Sequence, residues 1–174
     1  MKKFLSMVML LFCGLTCFMG CGKNEDQSYL RIHIRANSNL SVDQNIKYLV
    51  KDEVVNFLAP LISDATSFED VKQMLENSKL EIESVCNNVL KNNGFCYTAN
   101  AKIATEYFPT RAYGQHVLRS DFYDALIIEL GNASGDNWWC VIYPPLCFLN
   151  ATELNSSNIK YKSKLIEIVN NFFD

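Results

Sequence analysis

Over residues 29–36 apolar and polar side chains alternate strictly, with Leu30, Ile32 and Ile34 on one side and Arg31, His33 and Arg35 on the other. Successive strand side chains point to opposite faces, so this pattern predicts a β-strand with one buried face. Asn37-Ser38-Asn39 then reads as a turn, because Asn and Ser side chains compete for backbone partners. Ser41-Val42-Asp43-Gln44 fits a capping box. Behind it Ile46, Leu49, Val50, Val54, Phe57, Leu58 and Leu61 recur at helical spacing, and Pro60 marks the expected end. Ser67 predicts the cap of a second helix, with Asp70 in its first turn. Val71, Met74, Leu75, Ile82, Val85 and Val89 form its stripe, and Gly94 its stop.

From Phe95 the period changes to two. Tyr97, Ala99, Ala101, Ile103, Thr105 and Tyr107 share one face of a long strand, while Thr98, Asn100, Lys102 and Glu106 share the other. Pro109-Thr110-Arg111 predicts a turn, residues 121–130 another strand, 131–136 a polar loop and 137–143 a further strand ended by two prolines. Consecutive strands with short connections predict an antiparallel meander of about four strands with helices packed on one face, an α+β two-layer domain over residues 29–148. Residues 149–174 read as a C-terminal amphipathic helix or tail, through Ile159, Leu165, Ile168, Val169 and Phe172.

The N-terminus changes the picture from fold to address. Lys2 and Lys3 precede an uncharged apolar run over residues 4–22, the layout of an export signal and just long enough for a membrane anchor. Phe18-Met19-Gly20-Cys21 resembles a lipobox that would lipidate Cys21, with Phe18 where Leu is usual. Lipoprotein, uncleaved anchor and cleaved signal peptide all place the domain outside the cytoplasm. The net charge of −3 and the absence of a basic stripe argue against nucleic-acid binding.

Cys13 and Cys17 lie in the leader, which leaves Cys86, Cys96, Cys140 and Cys147 for the domain; four cysteines allow three pairings. Cys140 and Cys147 flank Tyr143-Pro144-Pro145, a segment able to turn the chain back, so a bridge between them and a pair of buried thiols are both open. Cys140 after Trp138-Trp139 also invites a cysteine-hydrolase reading, which would need a histidine base. The two histidines, His33 and His116, stand far apart with no ligand-spaced partners, so no metal site is expected. No P-loop, nucleophile elbow or dinucleotide fingerprint is present, so no cofactor is expected. Aromatics crowd the turns at Tyr107-Phe108-Pro109, Tyr113-Gly114 and Trp138-Trp139, a composition suited to partner binding when loops are held by a rigid sheet.

Three stretches carry a resemblance: Leu30-Arg31-Ile32-His33-Ile34-Arg35-Ala36-Asn37-Ser38 followed by Asp43-Gln44; Tyr107-Phe108-Pro109-Thr110-Arg111-Ala112-Tyr113-Gly114; and Asn137-Trp138-Trp139-Cys140-Val141-Ile142-Tyr143-Pro144-Pro145-Leu146-Cys147. Together they resemble the signatures of the stage II sporulation protein R family, in that family's order. The resemblance implies an intercellular signal made in the forespore and exported to the space between forespore and mother cell. There it would activate a membrane-embedded aspartic protease that processes the precursor of sigma factor E. It implies contact, not catalysis, with Arg31, His33, Arg35, Asn37, Tyr107, Arg111, Tyr113, Trp138 and Trp139 as candidate partner-binding residues. The alternative is an extracytoplasmic cysteine hydrolase of the cell envelope using Cys140.

Overall fold

The structure, a computed structural model, describes residues 29–113 and 116–148. Strand β1 (Leu30–Arg35) leads into helices α1 (Ser41–Ile62), α2 (Phe68–Asn77) and α3 (Lys79–Asn92). Strands β2 (Ala99–Phe108), β3 (Arg111–Tyr113), β4 (His116–Leu118), β5 (Asp121–Leu130) and β6 (Asn137–Tyr143) follow, then a 3₁₀ turn (Leu146–Phe148). The expected export segment with Cys21 and the expected C-terminal helix or tail over residues 149–174 lie outside the described residues.

Four strands form one sheet in the order β2-β5-β1-β6, and β3 and β4 form a separate two-stranded ribbon. The β2–β5 and β1–β6 pairs are antiparallel, whereas β1 and β5 run parallel. The α+β class with helices on one face therefore holds, but the sheet is mixed rather than a simple meander. The reason lies in the loop that joins β5 to β6, which straddles the end of β1. Gly135 N–H donates to the Ala36 carbonyl at 2.9 Å, Ser134 N–H to the Asn37 carbonyl at 3.2 Å, and Asn132 N–H to Asn37 Oδ1 at 2.9 Å. The approach is so close that a Cβ on Gly135 would sit 2.2 Å from the Ser38 carbonyl oxygen.

One sheet face carries Leu30, Ile32 and Ile34 of β1 with Leu126, Ile128 and Leu130 of β5. Ile46, Val50, Val54 and Leu58 of α1, Val71 and Leu75 of α2, and Ile82 and Leu90 of α3 pack on it. Each such side chain contributes roughly 1.5–3 kcal/mol on burial. Ser67 caps α2 as expected, its hydroxyl accepting from Asp70 N–H at 3.1 Å. The single helix expected up to Gly94 is instead two, α2 and α3, broken at Ser78. That residue's N–H closes α2 on the Met74 carbonyl while its own carbonyl starts α3. Gly94, at φ +78°, ends α3 as its missing Cβ allows. Helix α1 runs two residues past Pro60, with Ser63 Oγ donating to the Pro60 carbonyl at 3.0 Å. Side chains of α3 cover the β2 edge: Asn87 Oδ1 and Glu83 Oε1 accept from Ala99 N–H and Ala101 N–H, each at 2.8 Å.

The capping box over Ser41–Gln44 is replaced by a wider knot. Ser38 Oγ accepts from Leu40 N–H at 3.1 Å, and Gln44 Nε2 reaches back to the Ser38 carbonyl at 2.9 Å. Buried Asp43 accepts from Asn37 Nδ2 at 2.9 Å, Ser38 Oγ at 2.5 Å and the Tyr97 hydroxyl at 2.7 Å. Burial opposes ionisation of Asp43, but these hydrogen bonds outweigh it and hold the carboxyl below the usual carboxylate range.

Candidate functional site

The other face of the sheet holds the chemistry. The sequence reading gave β1 one buried face, and the structure buries both: Arg31 is 0% and His33 5% exposed. β1 is central, and the β3–β4 ribbon folds over its polar side, so the alternation marks two different interiors rather than core and solvent. Arg35 remains half-buried.

Arg31 is held in a cage of rings. Its Cζ lies 4.2 Å from the Phe108 ring centroid, 4.9 Å from that of Tyr123 and 5.8 Å from that of Tyr113, and Nη2 donates to the Tyr113 hydroxyl at 2.7 Å. Cation–π attraction to desolvated rings partly offsets the cost of burying the charge. Burial nonetheless pulls the Arg31 pKa down, against the upward influence of Tyr113. Nε and Nη1 of Arg31 and Nε2 of His33 have no hydrogen-bond partner among the described residues.

Beside the cage runs a ladder of charges. His33 Nδ1 lies 2.7 Å from Glu106 Oε2, and Glu106 also pairs with Arg35. Arg35 Nη1 pairs with Glu129 at 2.7 Å, which Lys102 meets at 3.0 Å. Burial raises the Glu129 carboxyl, yet Lys102 and Arg35 together hold it below its usual range. Glu106 reaches from β2 across β5 to β1, over a strip narrowed by Ala104 and Ala125, which face each other in register. The rings continue outward: His33 packs 5.4 Å from Trp139, and Arg111, exposed on the ribbon, lays its guanidinium 4.6 Å over that ring.

Arg31, His33, Arg35, Arg111, Tyr113 and Trp139 are thus brought together on this face, while the other three candidates go elsewhere. Asn37 belongs to the turn that ties β1 to the β5–β6 loop. Trp138 points to the helix side, packed against the core with Lys51 Nζ 6.0 Å from its ring. Tyr107 is 55% exposed and meets only Phe122 edge-on at 5.7 Å, at the outer end of the β2–β5 pair. Sequence reasoning missed Phe108, Tyr123, Glu106 and Glu129 as members. The alternation over 98–106 already gave Glu106 the polar face of its strand; what it lacked was the pairing that sets β2 near β1.

Cys140 and Cys147 are joined by a disulfide, with Cα atoms 5.7 Å apart. Cys140 pairs with Ile32 on the helix side of the sheet, whereas His33 faces the opposite side. Cys140 therefore has neither a free thiol nor that histidine as a base, and the hydrolase arrangement does not form. Cys86, a buried free thiol, has its pKa pushed up to about 12 by burial, and Cys96 is exposed and free. Among the described residues no group of three or more His, Cys, Asp or Glu side chains is placed to hold a metal ion. No described helix is long and apolar enough to cross a membrane.

Fold and site together define an α+β domain with helices on one sheet face and a cation–aromatic cluster under a ribbon on the other. The chain belongs to the stage II sporulation protein R family, whose family model matches residues 26–153. All three signature stretches fall inside that span. The chain is similar to the stage II sporulation protein R of Bacillus subtilis (strain 168), at 35% identity over 125 residues, covering 70% of this chain and 54% of that protein. It therefore spans about half the length of the curated relative it matches. No solved structure matches the chain.

Proposed function

We propose that the chain is an exported intercellular signal of endospore formation, active in the space between forespore and mother cell. It switches on a membrane-embedded aspartic protease by contact, and so triggers processing of the sigma factor E precursor. Family membership supports the sporulation role. The observation that carries the contact reading is the Arg111–Trp139 pair: an exposed guanidinium 4.6 Å over a half-buried indole, mounted on the sheet. Arg and Trp are among the residue types that most often anchor interfaces, and the Trp139 ring, fixed on β6 of the sheet, loses little entropy on docking. Moving a mostly inactive protease population to a mostly active one takes about 5.5 kcal/mol of differential binding, within reach of two or three such anchors.

The test is reconstitution in a non-sporulating bacterium that expresses this chain, the cognate protease and the sigma precursor, read by immunoblot. Cleavage that requires the chain and survives the double substitution Cys140→Ser, Cys147→Ser is the expected result. Uncut precursor, with the chain folded and exported, contradicts the reading.

A further inference from the structure

Arg31 presents an unanswered charge. It is fully buried, yet among the described residues its one hydrogen bond goes to an uncharged hydroxyl, and two of its nitrogens have no partner. Of the acids on its face, Glu106 is committed to His33 and Arg35 and Glu129 to Arg35 and Lys102, while exposed Asp121, across from Phe108, accepts from Phe122 N–H. Buried donors normally find partners, and a guanidinium finds its best one in a carboxylate held by two parallel bonds. Nη2 belongs to both two-pronged forks of a guanidinium, the side fork with Nε and the end fork with Nη1. Nη2 places one N–H in each fork, and the Tyr113 hydroxyl, by accepting one of them, blocks one fork.

Tyr113 sits on the β3–β4 ribbon, which forms its own two-stranded sheet and shares no ladder with the four-stranded one. A ribbon of that size is marginal alone. Here it is fastened by the Arg31–Tyr113 bond, the Arg111–Trp139 stack and Leu118 packed with Val141 and Leu146. Lifting it would withdraw Tyr113 and open the Arg31 cage.

We propose that Arg31 is the receptor for a carboxylate side chain of the protein partner, which takes the place of the Tyr113 hydroxyl as the ribbon lifts. This rests on the contact-activator reading above. A carboxylate meets the paired donors of a guanidinium with two parallel bonds, which singles out an acidic side chain of a folded partner.

The experiment is titration of the labelled extracytoplasmic part of the cognate protease with the full chain and two variants. Tyr113→Phe frees the occupied fork and is expected to tighten binding about threefold to tenfold, the scale of one lost competing hydrogen bond. Arg31→Gln is expected to weaken it at least about tenfold and to cancel that gain in the double variant. Tyr113→Phe binding that is unchanged or weaker overturns the proposal, and so does a folded Arg31→Gln that binds like the parent. Should Arg31→Gln fail to fold, Tyr113→Phe alone decides. Absence of binding by the unsubstituted chain refutes the activator reading itself and takes this proposal with it. A Tyr113→Phe gain seen toward phosphatidylglycerol vesicles and not toward the protease part overturns the protein carboxylate in favour of a lipid phosphate.

Discussion

Replacing Asp43 with Ala removes the acceptor on which three donors converge: Asn37 Nδ2, Ser38 Oγ and the Tyr97 hydroxyl. Asp43 is 3% exposed, and Asn37 and Ser38 are half-buried, so water replaces only part of what is lost. Hydrogen bonds to a charged acceptor contribute about 1.5–3 kcal/mol each, and partial rehydration brings the expected total to about 3–5 kcal/mol. Against a typical domain stability of about 5–15 kcal/mol, that brings the variant near its unfolding threshold. Urea unfolding followed by tryptophan emission reads it directly, because both tryptophans lie on β6. Acid supplies a second arm. The folded pKa of Asp43 is depressed, so its contribution is present above the unfolded value of about 3.9 and is lost as pH falls through the lower folded value. The unsubstituted chain should therefore lose stability on acidification below about pH 4, by an increment absent from Asp43→Asn. A loss under about 1 kcal/mol for Asp43→Ala would refute the claim that this knot positions β1, α1 and the β5–β6 loop.

Gly135→Ala drives a Cβ against backbone at 2.2 Å and should cost about 2–3 kcal/mol in the same unfolding assay. Gly94→Ala, with open space around it and only its φ of +78° to strain, should cost about 1–2 kcal/mol. In iodoacetamide labelling of the folded chain, Cys96 should react readily, whereas buried Cys86, its pKa pushed up to about 12, should react only after unfolding. Opening the Cys140–Cys147 bridge by double Ser substitution should lower stability by roughly 2–3 kcal/mol, the loop entropy of a short closure.

The local elements were legible where one physical signal acted alone. Strands β5 and β6 run over the residues that the alternation marked, 121–130 and 137–143. Ser67 and Gly94 cap as their chemistry dictates. Reading failed where a distant segment decided. Arg31 and His33 alternate like a solvated face, but Tyr113 of the β3–β4 ribbon, some eighty residues on, closes over Arg31, and Phe108 and Trp139 pack on His33. The parallel pairing of β1 with β5 is set by the β5–β6 loop docking on Asn37, a contact no local period encodes. Pro60 did not end α1 but sits in its last turn, two residues before the end, where the missing N–H leaves little helix beyond it to disrupt. Of the site, the three signature stretches delivered six converging residues. They also delivered Trp138 and Tyr107, which point away, since adjacent strand residues face opposite sides.

The most direct test of the central claim compares precursor processing in the reconstituted system for Arg111→Glu and Trp138→Phe. Arg111 is exposed and fastened only by its stack on Trp139, so its reversal should leave the fold intact and remove the anchor. The account predicts processing lost with Arg111→Glu and retained with Trp138→Phe, whose ring serves the helix-side core. Parental processing by a folded, exported Arg111→Glu chain would contradict it.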